Sequence, residues 1–184
     1  MHLIFHMGSI RKAARRLVLK WRNPSRHFLE QKIFPKIKNK KILYVGCDNY
    51  TVDYPKRLKK NNLWTLDIRP SVKKYGAKNH VVGDIRKVDN FFEKDFFDIV
   101  FFVGIFGYGI NNNASAEKAI RAMSKTLKKN GLLIIQWTNR RGKNLVNTEN
   151  LKEKNKFNEG PLFKTPTKTQ IGDRGYIWEF WRKK

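Results

Sequence analysis

Between residues 42 and 137 the chain carries five short apolar runs with little polar alternation. Each gives way to a turn rich in glycine, aspartate or asparagine. The runs cover 42–45, 63–66, 80–82, 97–103 and 132–137. A strand with one face in solvent alternates polar and apolar residues, so runs of this kind suit strands covered on both faces, as in a parallel sheet. Helical patterns fill the intervals at 52–60, 71–75, 88–93 and 115–129. The last is the clearest: Ala119, Ala122, Met123, Thr126 and Leu127 share one face, and Asn130-Gly131 supplies a left-handed stop. Strand, helix, glycine, strand is a βαβ unit, which closes right-handed almost without exception. The expected fold is therefore α/β, a doubly wound and mainly parallel sheet, with residues 175–181 as a final aromatic and β-branched strand.

The flanks have a different character. Among 184 residues, 40 are Lys or Arg and 15 are Asp or Glu, a net charge of +25. Residues 1–41 hold 12 basic residues and one acid, 42–138 hold 16 and 9, and 139–184 hold 12 and 5. Two parts are expected: a basic helical N-terminal arm over 1–40 and an α/β domain over 41–184. In the arm, Ile10, Ala13, Ala14, Leu17, Val18 and Trp21 recur at near-helical spacing among basic residues. Asn23-Pro24-Ser25 breaks that helix, and a second short helix with Phe28, Leu29, Ile33 and Phe34 ends near Pro35. Residues 139–160 are polar and too long for a simple connector, which predicts a lid or a mobile loop. A faint apolar run at 161–163 is the candidate for a sixth strand.

Several classes are excluded. No run approaches the roughly 18 apolar residues of a membrane span, and the apolar opening at 1–7 lacks the order of a signal peptide. One cysteine, Cys47, allows no intrachain disulfide framework, and His2, His6, His27 and His80 have no partner spacing, so no metal site is expected. Reducing, cytoplasmic surroundings are the simplest expectation. A hydrophobic share of 40% supports a packed core and argues against wholesale disorder.

The strand ends carry the candidate chemistry. The first run leads into Gly46-Cys47-Asp48-Asn49-Tyr50-Thr51, where a glycine lets the backbone turn sharply and approach a ligand. The second ends at Asp67, 21 residues after Gly46. A carboxylate there can accept both hydroxyl hydrogens of a ribose. The third leads into Gly83-Asp84-Ile85, an acid able to meet an adenine amine beside an apolar residue able to cover the ring. The fourth leaves the sheet at Val103-Gly104. Taken singly, Gly46 is a strand-ending glycine, Asp67 and Asp84 are helix-start residues, and Cys47 is a small filler. Their joint placement after successive strands favours a shared site.

In this ordered set, residues 41–138 resemble the class I S-adenosylmethionine-dependent methyltransferases. The likeness rests on 42–46, Leu66-Asp67, Gly83-Asp84-Ile85, 97–103 and 127–136. It implies a Rossmann-like sheet, S-adenosyl-L-methionine as cofactor, and 176–181 as the antiparallel last strand. It further implies that Gly46 and Cys47 lie against the amino-acid end of the cofactor and that Asp67 binds the ribose. Ile68 would pack on adenine, Asp84 and Ile85 would contact the base, and Val103 and Gly104 would line the site near the departing methyl group. Asp48 and Tyr50 stand where the family usually has glycine, and Tyr44 where it usually has an acid.

No catalytic residue is assigned. Tyr108 and Asn111–Asn113 follow the fourth strand, where acceptors sit in this family, but a Gly/Asn turn into a helix is the simpler reading. The expected activity is methyl transfer to a small-molecule or saccharide-type acceptor. The alternatives are an RNA methyltransferase that uses the basic flanks, or a non-catalytic binding or scaffold protein of the same fold. The basic arm could also lie on an anionic membrane. No oligomeric state is assigned.

Overall fold

The computed structural model describes residues 23–138, 142 and 144–184. The basic helix expected over 10–21 lies outside them. Helix α1 (Pro24–Phe28) opens where proline is best tolerated, and the Asn23 side chain caps it by accepting from Arg26 N at 2.9 Å. The chain stays helical through Leu29–Ile33 and Phe34–Lys36, so the second short helix of the arm is present and its apolar side is buried.

Strand β1 (Lys41–Val45) is followed by the one-turn helix α2 (Tyr54–Arg57), β2 (Asn62–Asp67), β3 (Asn79–Val82) and β4 (Phe97–Val103). The intervals expected as helices at 71–75 and 88–93 are 3-10 turns, Pro70–Tyr75 and Ile85–Asn90. Helix α3 (Asn113–Thr126) is long, capped by the Asn112 side chain on Ser115 N at 2.9 Å. It ends three residues before the expected boundary. Leu127 turns extended and pairs with Phe97, so β5 (Leu127–Trp137) takes over there. Asn130 is left-handed as expected, at φ 60°, but it bends this strand and does not stop the helix.

Strands β6 (Phe157–Glu159), β7 (Lys168–Ile171) and β8 (Tyr176–Lys183) complete the chain. Among the described residues one eight-stranded sheet runs β3-β2-β1-β4-β5-β8, with β6 and β7 sharing the outer edge of β8. The pairs among β1–β5 are parallel, and β8 is antiparallel to β5. The faint run at 161–163 contributes only a bridge between Leu162 and Thr165. Both edge strands are polar and half exposed, so they carry no apolar signal.

Side-chain alternation divides the core between the two faces. Leu43, Val45, Val100, Phe102, Leu133 and Ile135 pack against α3 and the 85–90 turn. Ile42, Tyr44, Ile99, Phe101, Leu132 and Ile134 pack against the helical turns Leu29–Ile33 and Phe34–Lys36 and against α2. Phe34 meets Phe101 and Tyr54 edge-on at 5.5 and 5.0 Å, contacts worth about 0.5–1.5 kcal/mol each beyond burial. The second half of the N-terminal arm is thereby fastened to the sheet. Val146, Leu151 and Phe157, from the polar stretch expected as a lid or mobile loop, are buried on the α3 face.

That stretch is also pinned by a charge. Glu179 in β8 is fully buried, and its carboxylate accepts from Trp137 Nε1 at 3.0 Å, Thr148 Oγ1 at 2.8 Å and Trp181 Nε1 at 3.2 Å. Lys168 Nζ stands 3.8 Å away.

Candidate functional site

At the carboxyl ends of the parallel strands the sheet order reverses between β1 and β4, the place where open α/β sheets bind ligands. Gly46 leaves β1 with φ 85°, its N–H donating to Leu66 O at 2.8 Å. A Cβ at this position would fall 2.8 Å from Ile105 Cδ1, so both conformation and space require glycine. The next residue, Cys47, donates its N–H to Asp67 Oδ2 at 2.7 Å. Burial, then the Asp67 charge, pushes its thiol up to about 11, so it is a packed thiol and not a nucleophile.

Asp48 and Tyr50 are accommodated without glycine. Asp48 is extended at φ −160° and caps the turn Asn49–Thr51 by accepting from Asn49 N at 2.7 Å. Tyr50 carries the Arg26 guanidinium 4.2 Å above its ring. Tyr44, in place of the family's acid, is a core residue against Tyr54 and Phe101, and burial raises its hydroxyl well above the ordinary value.

The two aspartates repeat one local design. Asp67-Ile68-Arg69 follows β2 and Asp84-Ile85-Arg86 follows β3, and in both the arginine turns back on the aspartate. Asp67 Oδ1 accepts from Arg69 N and Nε at 2.8 and 3.1 Å, and Oδ2 from Arg69 Nη2 at 3.2 Å. Burial pushes this carboxyl up, but Arg69 and the backbone donors outweigh burial and hold it below the ordinary value. Asp84 accepts from Arg86 N and is gripped by its guanidinium at 2.5 Å, which likewise lowers its pKa. The two isoleucines differ: Ile68 is 61% exposed and faces the cleft, whereas Ile85 is buried.

The far end of the cleft is built from β4 and β5. Gly104, at φ 71°, donates to Gln136 O at 2.9 Å. The Gln136 side chain is 5% exposed and lines the cleft, and its amide nitrogen has no hydrogen-bond partner among the described residues. Tyr108, Thr138, Asn144 and Tyr176 complete this end. The carboxylates lining the cleft among the described residues are Asp48, Asp67 and Asp84, all on the β1–β3 side, and no histidine lines it. Asn112 and Asn113 take structural parts: one caps α3, and the other accepts from Asn147 N at 2.9 Å. His80 is paired with Thr65 Oγ1 at 2.8 Å, away from this edge.

Gly46, Cys47, Asp67, Ile68, Asp84, Ile85, Val103 and Gly104 all line the same cleft of about 580 Å³, a size that accommodates a cofactor-scale molecule. Arg26, Arg69, Arg86, Gln136 and Tyr176 line it too and were not expected, as does Tyr50, which the resemblance had already placed beside the cofactor. Gln136 was detectable as the one polar residue interrupting the fifth apolar run. Arg26 comes from a distant segment with no local signal.

A model of the methyltransferase domain matches residues 43–135. The chain belongs to that family, and with it to the class I S-adenosylmethionine-dependent methyltransferases. Solved structures of similar fold include a protein from Pyrococcus horikoshii OT3, 16% identical over 85% of this chain and 88% of that one, with a TM-score of 0.66. The N-methyltransferase NodS from Bradyrhizobium japonicum WM9, in complex with S-adenosyl-L-homocysteine, is 15% identical over 94% and 86%, with a TM-score of 0.59. A TehB-like methyltransferase from Corynebacterium glutamicum is 19% identical over 95% and 100%, also with a TM-score of 0.59. Among curated proteins, none matches the sequence. No helix among the described residues is long and apolar enough to cross a membrane.

Proposed function

We propose that this protein holds S-adenosylmethionine along the ends of β1–β4 and passes its methyl group to a small, saccharide-type acceptor beside Gly104 and Gln136. One observation carries this reading: eight residues from four successive strand ends converge on a single cleft of about 580 Å³. The bound cofactor supplies a methyl group activated by its sulfonium.

The chain's own groups supply the rest. Asp67 accepts the ribose hydroxyls once the Arg69 guanidinium swings away, and the exposed face of Ile68 covers the adenine. Gly46 and Gly104, at φ 85° and 71°, give the backbone the turns that bring it close to the ligand. At the acceptor end, Gln136, Thr138, Tyr108 and Tyr176 offer neutral donors and acceptors that suit hydroxyl-bearing molecules. Displacement at a methyl group is accelerated chiefly by alignment, which these residues would provide. With no carboxylate or histidine among the described residues at this end, the proton of a hydroxyl acceptor would pass to solvent water in the open cleft.

Calorimetric titration with S-adenosylmethionine and S-adenosylhomocysteine tests the cofactor half. Saturable binding is expected, weakened at least about tenfold by Asp67→Ala, which removes a charged hydrogen-bond acceptor. Ile68→Asp changes an exposed side chain and leaves the fold intact, yet is expected to weaken binding similarly. Absence of binding at millimolar ligand would overturn the proposal. Labelled methyl transfer to small saccharides, with RNA oligomers run in parallel, tests the acceptor half; label appearing on RNA alone would replace the small acceptor.

A further inference from the structure

A second cleft, of about 430 Å³, opens at the opposite edge of the sheet, beside the amino ends of β1 and β4. Lys36, Lys38 and Lys40 line one wall, and Lys128, Lys129 and Arg182 line the other. Asp98 is the one carboxylate among the described lining residues. It is already satisfied, accepting from Lys128 Nζ at 2.8 Å and Lys41 N at 2.7 Å. Lys38, Lys40 and Lys129 are exposed and have no ion-pair partner among the described residues.

Beneath these cations the floor is apolar. Ile37, Leu132 and Leu162 are buried, while Phe163 is 37% exposed at the rim with Lys36 Nζ 5.1 Å from its ring centre. The surrounding backbone is left-handed at non-glycine residues: φ is 56° at Asn39, 60° at Asn130, 49° at Phe163 and 69° at Lys164. Such conformations persist only where the neighbouring structure holds them, so these walls are set by the fold.

We propose that this cleft is a docking groove for single-stranded nucleic acid, its phosphates on the lysines and a base stacked on Phe163. Six cations face one carboxylate here, and Lys128 alone among them is ion-paired with it, at 2.8 Å. The excess positive charge repels itself, and a polyanion relieves that repulsion while releasing its own counterions. An aromatic face set among cations offers stacking that tolerates any base. An anionic membrane fits poorly, because Phe163 and the lysines border a cleft and a bilayer needs a protruding apolar face. An acidic peptide would neutralise the lysines but would leave the ring without a stacking partner. The groove lies a strand's length from the methyltransferase cleft, so a strand bound here leaves that cleft open.

Fluorescence anisotropy of a labelled oligouridylate titrated with the full chain tests this. Binding at low salt is expected, falling steeply as salt rises. The exposed triple variant Lys38→Glu, Lys40→Glu, Lys129→Glu should weaken it at least about tenfold and flatten the log–log salt slope by about 2, the share of three phosphates on a single strand. Phe163→Ala should weaken it about fivefold or more with the slope unchanged. A charge-matched control on other surfaces, Lys56→Glu, Lys78→Glu, Lys118→Glu, should change it less than about twofold, since it removes the same overall charge without touching the groove. No binding at low salt, equal losses in the two triple variants, or tighter binding of polyglutamate of matched length would overturn the proposal.

Discussion

Of the four hydrogen bonds the Asp67 carboxylate accepts among the described residues, three come from Arg69 and the fourth from Cys47 N. Two carboxylate oxygens offer about four lone-pair sites, so no site is left for a ribose until the arginine side chain departs. Arg69 Nη2 also donates to Cys47 O at 2.7 Å, which ties the same guanidinium to the first loop. On the proposed function, Arg69 therefore competes with the cofactor's ribose for the Asp67 carboxylate.

The first prediction follows from that competition. The Arg69 side chain is 53% exposed, and an exposed pair is worth at most about 1 kcal/mol. Arg69→Ala should therefore tighten S-adenosylhomocysteine binding by up to about fivefold, in the opposite direction to Asp67→Ala. Calorimetry on the two variants checks it, and weaker binding in Arg69→Ala would assign the guanidinium to the ligand instead.

Acid should destabilise the fold in a defined window. Asp67 and Asp84 are held below the ordinary value 3.8, and Lys154 and Lys168 hold Glu149 at about 2 against an ordinary 4.5. A carboxyl whose folded pKa is depressed contributes its full stabilisation above the unfolded value and loses it as pH falls through the folded one. The melting temperature should thus stay level from pH 7 to about 4.5 and fall steadily toward pH 2. Added salt should shrink the part owed to Glu149, whose exposed pairs are screened. Thermal melts across pH at two salt concentrations measure both.

Glu179→Ala should be far more damaging than an ordinary surface change. It strands the donors of Trp137, Thr148 and Trp181 in a dry interior, and breaking a buried charged network in this way costs about 3–5 kcal/mol. For a chain of this size that corresponds to a loss of about 10 °C or more in melting temperature. Calorimetric melting of the variant checks it, and a change under a few degrees would show the network to be dispensable.

Cys47 should resist alkylation. Its side chain is 1% exposed and its thiol is pushed up to about 11, so at pH 8 both access and thiolate are lacking. Iodoacetamide labelling followed by mass spectrometry should show modification only under conditions that unfold the protein. Rapid labelling of the folded chain would place the thiol in the open cleft.

The parallel half of the fold was legible because β1, β2, β4 and β5 are largely buried and write their burial as apolar runs, and β4 was bounded to the residue. The edge strand β3 is only half-buried and showed as a short run. That the eight candidate residues share one cleft was legible because they follow those strands immediately, where position in sequence and position at the sheet edge coincide. Arg69 and Arg86 were invisible as partners of Asp67 and Asp84, since an aspartate two residues before an arginine reads as an ordinary turn. Edge strands β6 and β7 gave no signal, being mostly polar Phe-Asn-Glu and Lys-Thr-Gln-Ile segments in which one apolar residue each, Phe157 and Ile171, reaches the core. The end of α3 was misplaced because Leu127 fits a helical face as well as it fits the start of β5, and only its pairing with Phe97 decides between them.

The position of β8 has a consequence for the order in which the protein is made. It lies between β5 and the edge strands β6 and β7, yet it leaves the ribosome after all of them. The five parallel strands, with Gly46, Asp67, Asp84 and Gly104 at their ends, can close as soon as β5 emerges. The segment around Thr148, together with β6 and β7, must wait for Glu179 and its strand before it has anything to hold. A nascent chain thus completes the β1–β4 side of its cleft before Asn144 and Tyr176 are held in place on the other.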